Sequence, residues 1–488
     1  MDHVRICPQS VDRHVDKGRI FRTDPSVTRA NAVHLLWTRE RLAEISSVGH
    51  RPSGIDRQIL ALAVPALGAL VAEPLFVLVD SAVVGHLGTA PLAGLALAST
   101  ILVTVIGLCV FLAYATTAAV ARRVGAGDTV GGLQVGVDGM WLALGLGLVL
   151  AAATWLSAPW LVEVLGASDE VARQAVIYLR WSSPGLPGML LVLASTGALR
   201  GLLDTRTPLI VAAVGAVVNA VLNIVLVYGA GMGIAGSGFG TALTQVGMAV
   251  ALTVVVVRGA RGAGAQLRPA AGGIWANARA GTPLFVRTLS LRLAILLTVW
   301  VATGLGAVEL AGHQVVNAVW GLAAFALDAL AIAAQALVGH ALGAADVPRV
   351  RAILKRTLQW GVGAGAALGL LVGGLSWVYV PLFTSDDDVR RAAVTALVVA
   401  AVTMPMAGWV FVLDGILIGA GDGKFLAWAG MATLVVYVPF ALAVRQVAPP
   451  GAAGLAWLWA AFAGVFMLAR AVTTGWRARG TAWMVTGA

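Results

Sequence analysis

Twelve mostly apolar runs divide this chain, near 59–85, 91–121, 133–156, 175–199, 207–229, 234–257, 281–305, 310–340, 353–376, 393–418, 425–446 and 452–474. A membrane helix needs about 20 such residues. In lipid every backbone N–H and C=O must be satisfied internally, so a chain of this kind must cross the bilayer as helices. Composition agrees: 59% of the 488 residues are hydrophobic and 11% are charged, with a mean hydropathy of +0.88. Soluble domains carry about 25% charged residues. The 59 glycines suit a bundle in which small residues let helices approach closely. The formal charge of +10 sits in short turns between apolar runs, not on one face, which argues against a nucleic-acid partner. Cys7 and Cys109 imply neither a disulfide framework nor a metal site.

The turns orient the chain. Alternate ones carry Arg122 and Arg123; Arg200 and Arg206; Arg258, Arg261, Arg268 and Arg279; Arg349, Arg351, Lys355 and Arg356; and Lys424. The others carry Glu163, Asp169 and Glu170; no charge at 230–233; Glu309; Asp386, Asp387 and Asp388 with Arg390 and Arg391; and Arg445. Basic turns face the cytoplasm, which predicts both termini inside. An even number of spans requires the same. Residues 1–56 carry nine Lys/Arg and no apolar h-region. They read as a disordered polar cytoplasmic tail without a cleavable signal, with a short surface helix over 32–45. Residues 475–488 read as a second cytoplasmic tail.

The chain also contains itself twice. Pro65 answers to Pro283, Leu87-Gly88 to Leu305-Gly306, Asp128 to Asp346, Pro187 to Pro405, Asp204 to Asp422 and Gly233 to Gly451, always 218 residues apart (283 less 65). Six spans per repeat preserve orientation, so the halves are related by an axis along the membrane normal. The expected fold is all-α and integral to the membrane, with twelve transmembrane helices in two pseudo-symmetric six-helix bundles. These are an amino-terminal lobe over 57–257 and a carboxy-terminal lobe over 281–474, joined by a linker over 258–280. A cleft between such lobes permits alternating access.

Charges within the spans need a reason, since each costs at least about 2.5–3.5 kcal/mol at the bilayer centre. Asp80 and Glu73 lie seven residues apart on the first span, which places both on one helical face. Pro74 lies between them, where it removes a backbone hydrogen bond and favours a kink. Asn219 and Asn223 share a face of the fifth span. Asp80 and Asn223 each sit six residues from the outer end, so their depths match. Together these oxygens would suit a proton or a hard cation, including sodium at Asp80, Asn219 and Asn223. The amino half offers Asp80 no cation at mid-depth. In the carboxy half, Arg292 and Asp328 match in depth, so an ion pair is expected. Asp414 lines the cleft or caps packing, and Arg287 is expected to snorkel to the inner surface. No Walker motif or phosphate cradle appears, which argues against direct use of ATP, and no catalytic constellation indicates an enzyme.

With those residues in hand, the chain resembles the multidrug and toxic compound extrusion (MATE) family, and its DinF-type branch in particular. The stretches that carry the resemblance include "PLFVLVDSAVVGHLGTAPLAGLALAS" (74–99), "NAVLNIVLVYGAGMGIAGSGFGTALTQ" (219–245), "AGHQVVNAVWGLAAFALDALAIAAQALVGHALGAAD" (311–346) and "DGILIGAGD" (414–422). The likeness implies export of amphipathic, cationic organic compounds in exchange for inward proton or sodium. It implies no cofactor, and a multi-pass monomer of the plasma (inner) membrane whose partners are a small organic substrate and the bilayer. It places the family's first-helix aspartate on Asp80, its fifth-helix asparagine on Asn219 and its tenth-helix carboxylate on Asp414, with Thr241 lining the same pocket as Asp80. Some members have an aspartate where this chain has Asn223, which leaves proton and sodium both open. The rival reading is a flippase for lipid-linked precursors, which requires several arginines lining the cleft.

Overall fold

The structure, a computed structural model, describes residues 54–487. The short helix expected over 32–45, and the 1–56 tail apart from its last three positions, lie outside the described residues. Among those described, all regular structure is helical. The first half contains α1 (Ile55–Gly85), α2 (Thr89–Leu108), α3 (Phe111–Gly125), α4 (Thr129–Val164), α5 (Asp169–Ser182), α6 (Leu186–Gly201), α7 (Arg206–Ile224) and α8 (Ile234–Ala263). The second contains α9 (Ala271–Leu305), α10 (Ala307–Gly343), α11 (Val347–Gly374), α12 (Ser376–Tyr379), α13 (Asp387–Gly419), α14 (Gly423–Val447), α15 (Ala452–Trp459) and α16 (Met467–Arg479). Ten helical rods are long and apolar enough to cross a membrane, or eleven when α11 is joined to Ser376–Leu382 across a 49° bend. The remaining span, expected near 175–199, is broken. α5 and α6 meet through the single 3-10 turn Ser183–Gly185, where Pro184 lacks a backbone donor and Gly185 is permissive.

The 218-residue repeat is written into the backbone. Gly88 and Gly306 have φ of 129° and 148°, and Gly233 and Gly451 have 57° and 79°. Asp128 and Asp346 both cap helices, accepting from Gly131 N at 2.8 Å and Arg349 N at 3.0 Å. Leu203 and Ala345, the two non-glycine residues with positive φ among the described residues, stand where their counterparts are Gly421 and Gly127, also at positive φ. Side chains rarely accept that conformation, so the shared backbone imposes it on both.

The linker expected over 258–280 is largely helical. α8 runs on to Ala263, where Gly264 at φ 83° caps it with bonds to Ala260 O and Arg261 O, and α9 begins at Ala271. Left-handed glycine is a common helix stop. The segment packs on α4: Trp141 Nε1 donates to Leu267 O at 3.0 Å and Asn277 Nδ2 to Val135 O at 3.1 Å. At the other end of the chain, α16 continues to Arg479, past the expected boundary at 475.

The lobes meet at the end that carries the arginine-rich turns. There Ile59, Leu62, Ala63 and Ala66 of α1 form one buried core with Ala333, Leu337 and Ala341 of α10 and Ile416 of α13. Gly343 packs on the carbonyl of Arg122 and Gly125 on that of His340, approaches that leave no room for a Cβ. His340 Nε2 lies 2.8 Å from Gly201 O, and Gln335 Nε2 donates to Tyr114 O at 2.8 Å. Arg122 of α3 straps the lobes together. It donates to Ala420 O at 2.8 Å, Val485 O at 2.8 Å and Gly487 O at 2.8 and 3.1 Å. Trp483 is 1% exposed in the same core, so the segment after α16 is anchored at Trp483 and at the carbonyls of Val485 and Gly487 that Arg122 holds.

Candidate functional site

α1 turns the stripe Ala72, Phe76, Asp80 and Val84 toward the interior of the first lobe. The spacing of four is that of a helical contact stripe. α7 brings Asn219 and Asn223, α8 brings Thr241 and α5 brings Tyr178; all are buried. Asp80 Oδ1 accepts a hydrogen bond from Asn223 Nδ2. Its Oδ2 accepts from Thr241 Oγ1 at 3.1 Å and from the Tyr178 hydroxyl at 3.2 Å. Asn223 Nδ2 also donates to Asn219 Oδ1 at 3.2 Å, and Asn219 Nδ2 donates to Thr241 Oγ1 at 3.4 Å. Asn223 Oδ1 is left without a partner. Every group touching Asp80 is neutral, and among the described residues no cation pairs with it. Taking an isolated charge out of water costs several kcal/mol even after relaxation. Three convergent donors recover part of this, while the absence of a fixed counter-charge leaves the site able to take up a mobile one.

The structure thus brings Asp80, Asn219, Asn223 and Thr241 together, and adds Tyr178. Nothing in the sequence around Tyr178 marked it, because it reaches Asp80 only through the packing of α5 against α8. Glu73 is not part of the cluster. Its side chain makes no hydrogen bond to the cluster, is accessible at the surface of α1, and lies within electrostatic reach of Arg292 of the other lobe. α1 stays one helix through Pro74.

The carboxy-half residues fall differently from expectation. Arg292 and Asp328 do not pair, since equal depth on two helices does not fix their rotation. Arg292 crosses to the other lobe, packs against Gly107 of α2 and lies within electrostatic reach of Glu73. Asp328 accepts from the Tyr114 hydroxyl at 3.4 Å and faces Arg200 and Arg287. Arg287 does not snorkel to the surface. It forms an ion pair with Asp414 at 2.6 Å, and Arg470 of α16 pairs with the same carboxylate. Asp414, Arg287 and Arg470 are all nearly inaccessible, with side chains 7%, 12% and 9% exposed. In the sequence Arg470 is hidden within an apolar span and Arg200 reads as part of a turn, so neither points to this cluster.

A family model described as MatE matches residues 65–225 and again 283–443, two matches displaced by the same 218 residues (283 less 65). Protein DETOXIFICATION 44, chloroplastic, of Arabidopsis thaliana is 30% identical over 444 residues, covering 88% of this chain and 84% of that protein. DNA damage-inducible protein F of Escherichia coli (strain K12) is 29% identical over 402 residues, covering 79% and 86%. A solved structure described as the outward-facing conformation of a multidrug resistance MATE family transporter superposes with a TM-score of 0.79 at 23% identity, covering 88% of this chain and 97% of that one. A MOP superfamily transporter from Pyrococcus furiosus gives 0.81 at 22% identity, covering 90% and 98%. Matching folds, a family match over both repeats and a full-length relative lead to one conclusion: the chain belongs to the MatE family, the multidrug and toxic compound extrusion (MATE) transporters.

Proposed function

We propose that this MATE transporter is a secondary antiporter that exports amphipathic, cationic organic compounds while a proton or sodium ion moves inward through the Asp80 site. The observation that carries the reading is a buried carboxylate held only by neutral hydrogen-bond donors. Loading a positive ion there removes an unfavourable buried charge. Emptying the site restores it, so occupancy changes the energy of the first lobe. Asn223 supplies a means of response. Its Nδ2 serves the charged carboxylate, and rotation of the amide would turn the unpartnered Oδ1 toward a protonated one. Pro74 and the missing backbone bond beside it give α1 a place to bend as Asp80 changes charge.

On the basic-turn criterion the arginine-rich end is cytoplasmic. The lobes are packed together at that end, so the state described is the outward-facing one, with both termini inside. We place the protein in the DinF-type branch and in the plasma membrane as a monomer. The membrane potential supplies about 2.3 kcal/mol per inward charge per 100 mV. The test is dye efflux from proteoliposomes with pH and sodium gradients imposed separately. Efflux driven by neither gradient, or driven equally well with Asp80→Asn, removes the antiport reading.

One observation favours the flippase reading. Arg200, Arg287 and Arg292 lie where the lobes meet, near Tyr114, Asp328 and Gly107, and Arg470 joins them through Asp414, more arginines than one central residue would supply. Asp414 and Asp328 occupy much of that charge, which is why export of cations is preferred. Transbilayer movement of a pyrophosphate-linked lipid in the same vesicles would reverse the preference.

A further inference from the structure

We propose that a groove between α11, α13 and α16, on the outer flank of the second lobe, binds an anionic phospholipid from the leaflet at the arginine-rich end. The groove has a volume of about 620 Å³ and is lined by Leu354, Leu358, Trp409, Val472, Trp476 and Arg479, among others. That volume is within the range of ligand sites, about 300–1,000 Å³. Its walls are hydrocarbon and indole, with one guanidinium.

Depth and charge together identify the occupant. On α16 the lining runs from Arg479 at the mouth back to Ala471, roughly 12 Å of helix. Half of a bilayer's hydrocarbon core is about 15 Å. The groove therefore spans most of the depth of one acyl chain. Trp476, 70% exposed, stands near the mouth, as tryptophans do at a membrane surface.

The cations lie at the same mouth. Arg479 lines it directly. On α11, Arg351, Leu354 and Leu358 follow one another at spacings of three and four, so Arg351 continues the lining stripe toward the water, and Lys355 adjoins it. Both are exposed, and among the described residues none of Arg351, Lys355 and Arg479 is tied to an acid. The nearby carboxylates are already engaged: Asp56 with Arg356 at 2.6 Å and Trp360 at 2.8 Å, and Asp422 with Arg477 at 2.6 Å. Three uncompensated cations over an acyl-sized slot match a lipid phosphate with its chain below. A cationic amphiphile would be repelled there. Each basic residue near the surface is worth about 1 kcal/mol toward an anionic lipid, or roughly fivefold in occupancy.

The experiment uses the purified full chain in mixed micelles holding equal dioleoyl phosphatidylglycerol and dioleoyl phosphatidylcholine, with retained lipid counted by native mass spectrometry. The expected result is preferential retention of phosphatidylglycerol. Arg351→Gln, Lys355→Gln and Arg479→Gln should each lower that preference by roughly fivefold, while Arg123→Gln in the other lobe should not. Gly475→Leu should reduce retention of both lipids by filling the groove. A Cβ at Gly475 meets Trp409 Nε1 at 3.6 Å, an ordinary contact, and a melting temperature equal to the parent's checks that the fold is kept. Equal retention of the two lipids by the unaltered protein, or an undiminished preference in the triple variant, overturns the proposal. So does unchanged binding in Gly475→Leu, or retention of a cationic dye in place of the lipid.

Discussion

The two lobes share a backbone and differ in what they bury at equivalent positions. Adding the 218-residue offset to Asp80, Asn219, Asn223, Thr241 and Tyr178 gives Thr298, Tyr437, Ala441, Trp459 and Ala396. In the second lobe Thr298, Tyr437 and Trp459 belong to a buried aromatic core. The Thr298 and Tyr437 hydroxyls lie 2.6 Å apart, and Tyr437 packs its ring on Phe466 at 5.4 Å and Phe462 at 6.1 Å. The reverse holds for the charged cluster of the second lobe. Asp414, Arg287 and Arg470 have Thr196, Ala69 and Leu252 as counterparts. Asp80 and Asp414 are therefore buried carboxylates at positions where the other lobe has none. The environments are opposite: Asp80 meets neutral donors, whereas Asp414 is clamped by two guanidiniums. A carboxylate with two resident cations has no need of a third, so under the proposed antiport the coupling ion belongs to the first lobe, and the clamped Asp414 to cohesion of the second.

The largest expected effect breaks that contrast at Asp80. In Asp80→Asn, gradient-driven efflux from proteoliposomes should fall to the level of empty vesicles. Binding of substrate, followed by tryptophan fluorescence, should persist. Asp414→Asn is the opposite case. Removing one partner of a buried ion cluster strands the others and destabilises by about 3–5 kcal/mol, which thermal unfolding in detergent will read. Asp80→Asn strands no cation, so its melting temperature should hold or rise. If Asp414→Asn is as stable as the parent and Asp80→Asn is not, the two roles have been exchanged.

A smaller effect is expected where the lobes are strapped together. Arg122→Gln removes charge-assisted hydrogen bonds to Ala420, Val485 and Gly487. Hydrogen bonds to a charged group contribute roughly 1.5–3 kcal/mol, and here they form only while the arginine-rich end is closed. Spin labels on the ends of α3 and α13 should report a larger open fraction by electron–electron distance measurement. An unchanged distance distribution would mean that the apolar core around Trp483 closes this end without Arg122.

Much of this was legible in the residues themselves. Apolar run length located the helices, and one gapless offset exposed the duplication, because a repeated backbone keeps its caps and left-handed positions even where side chains diverge. Asp80 and Asn223 could be matched by depth, since rise per residue is fixed, and Asn219 by its shared face with Asn223. Rotation about each helix was not readable. A seven-residue spacing put Glu73 on the face of Asp80, yet two helical turns lower that face meets Arg292 of the other lobe and not the Asp80 donors. The same ignorance paired Arg292 with Asp328 by depth alone. Tyr178 and Arg470 escaped notice because each acts across the fold, one through helix packing and the other from within an apolar span. The break at Ser183–Gly185 needed only its proline and glycine to be taken as punctuation.

The smallest expected effect falls on the second-lobe counterpart of the Asp80 site. Thr298→Val alone would leave the Tyr437 hydroxyl buried without its partner, a loss of about 1 kcal/mol or more. Thr298→Val with Tyr437→Phe removes both ends of the bond while keeping shape, and such exchanges are nearly neutral. The double variant should therefore match the parent in melting temperature and in the ion dependence of efflux. Removing the Tyr178 hydroxyl from the first lobe, by contrast, should shift the ion concentration for half-maximal efflux by roughly tenfold, as expected for a hydrogen bond to a charged group. If the double variant shifts that concentration as far as Tyr178→Phe does, the second lobe also senses the coupling ion, and the division of labour between the lobes fails.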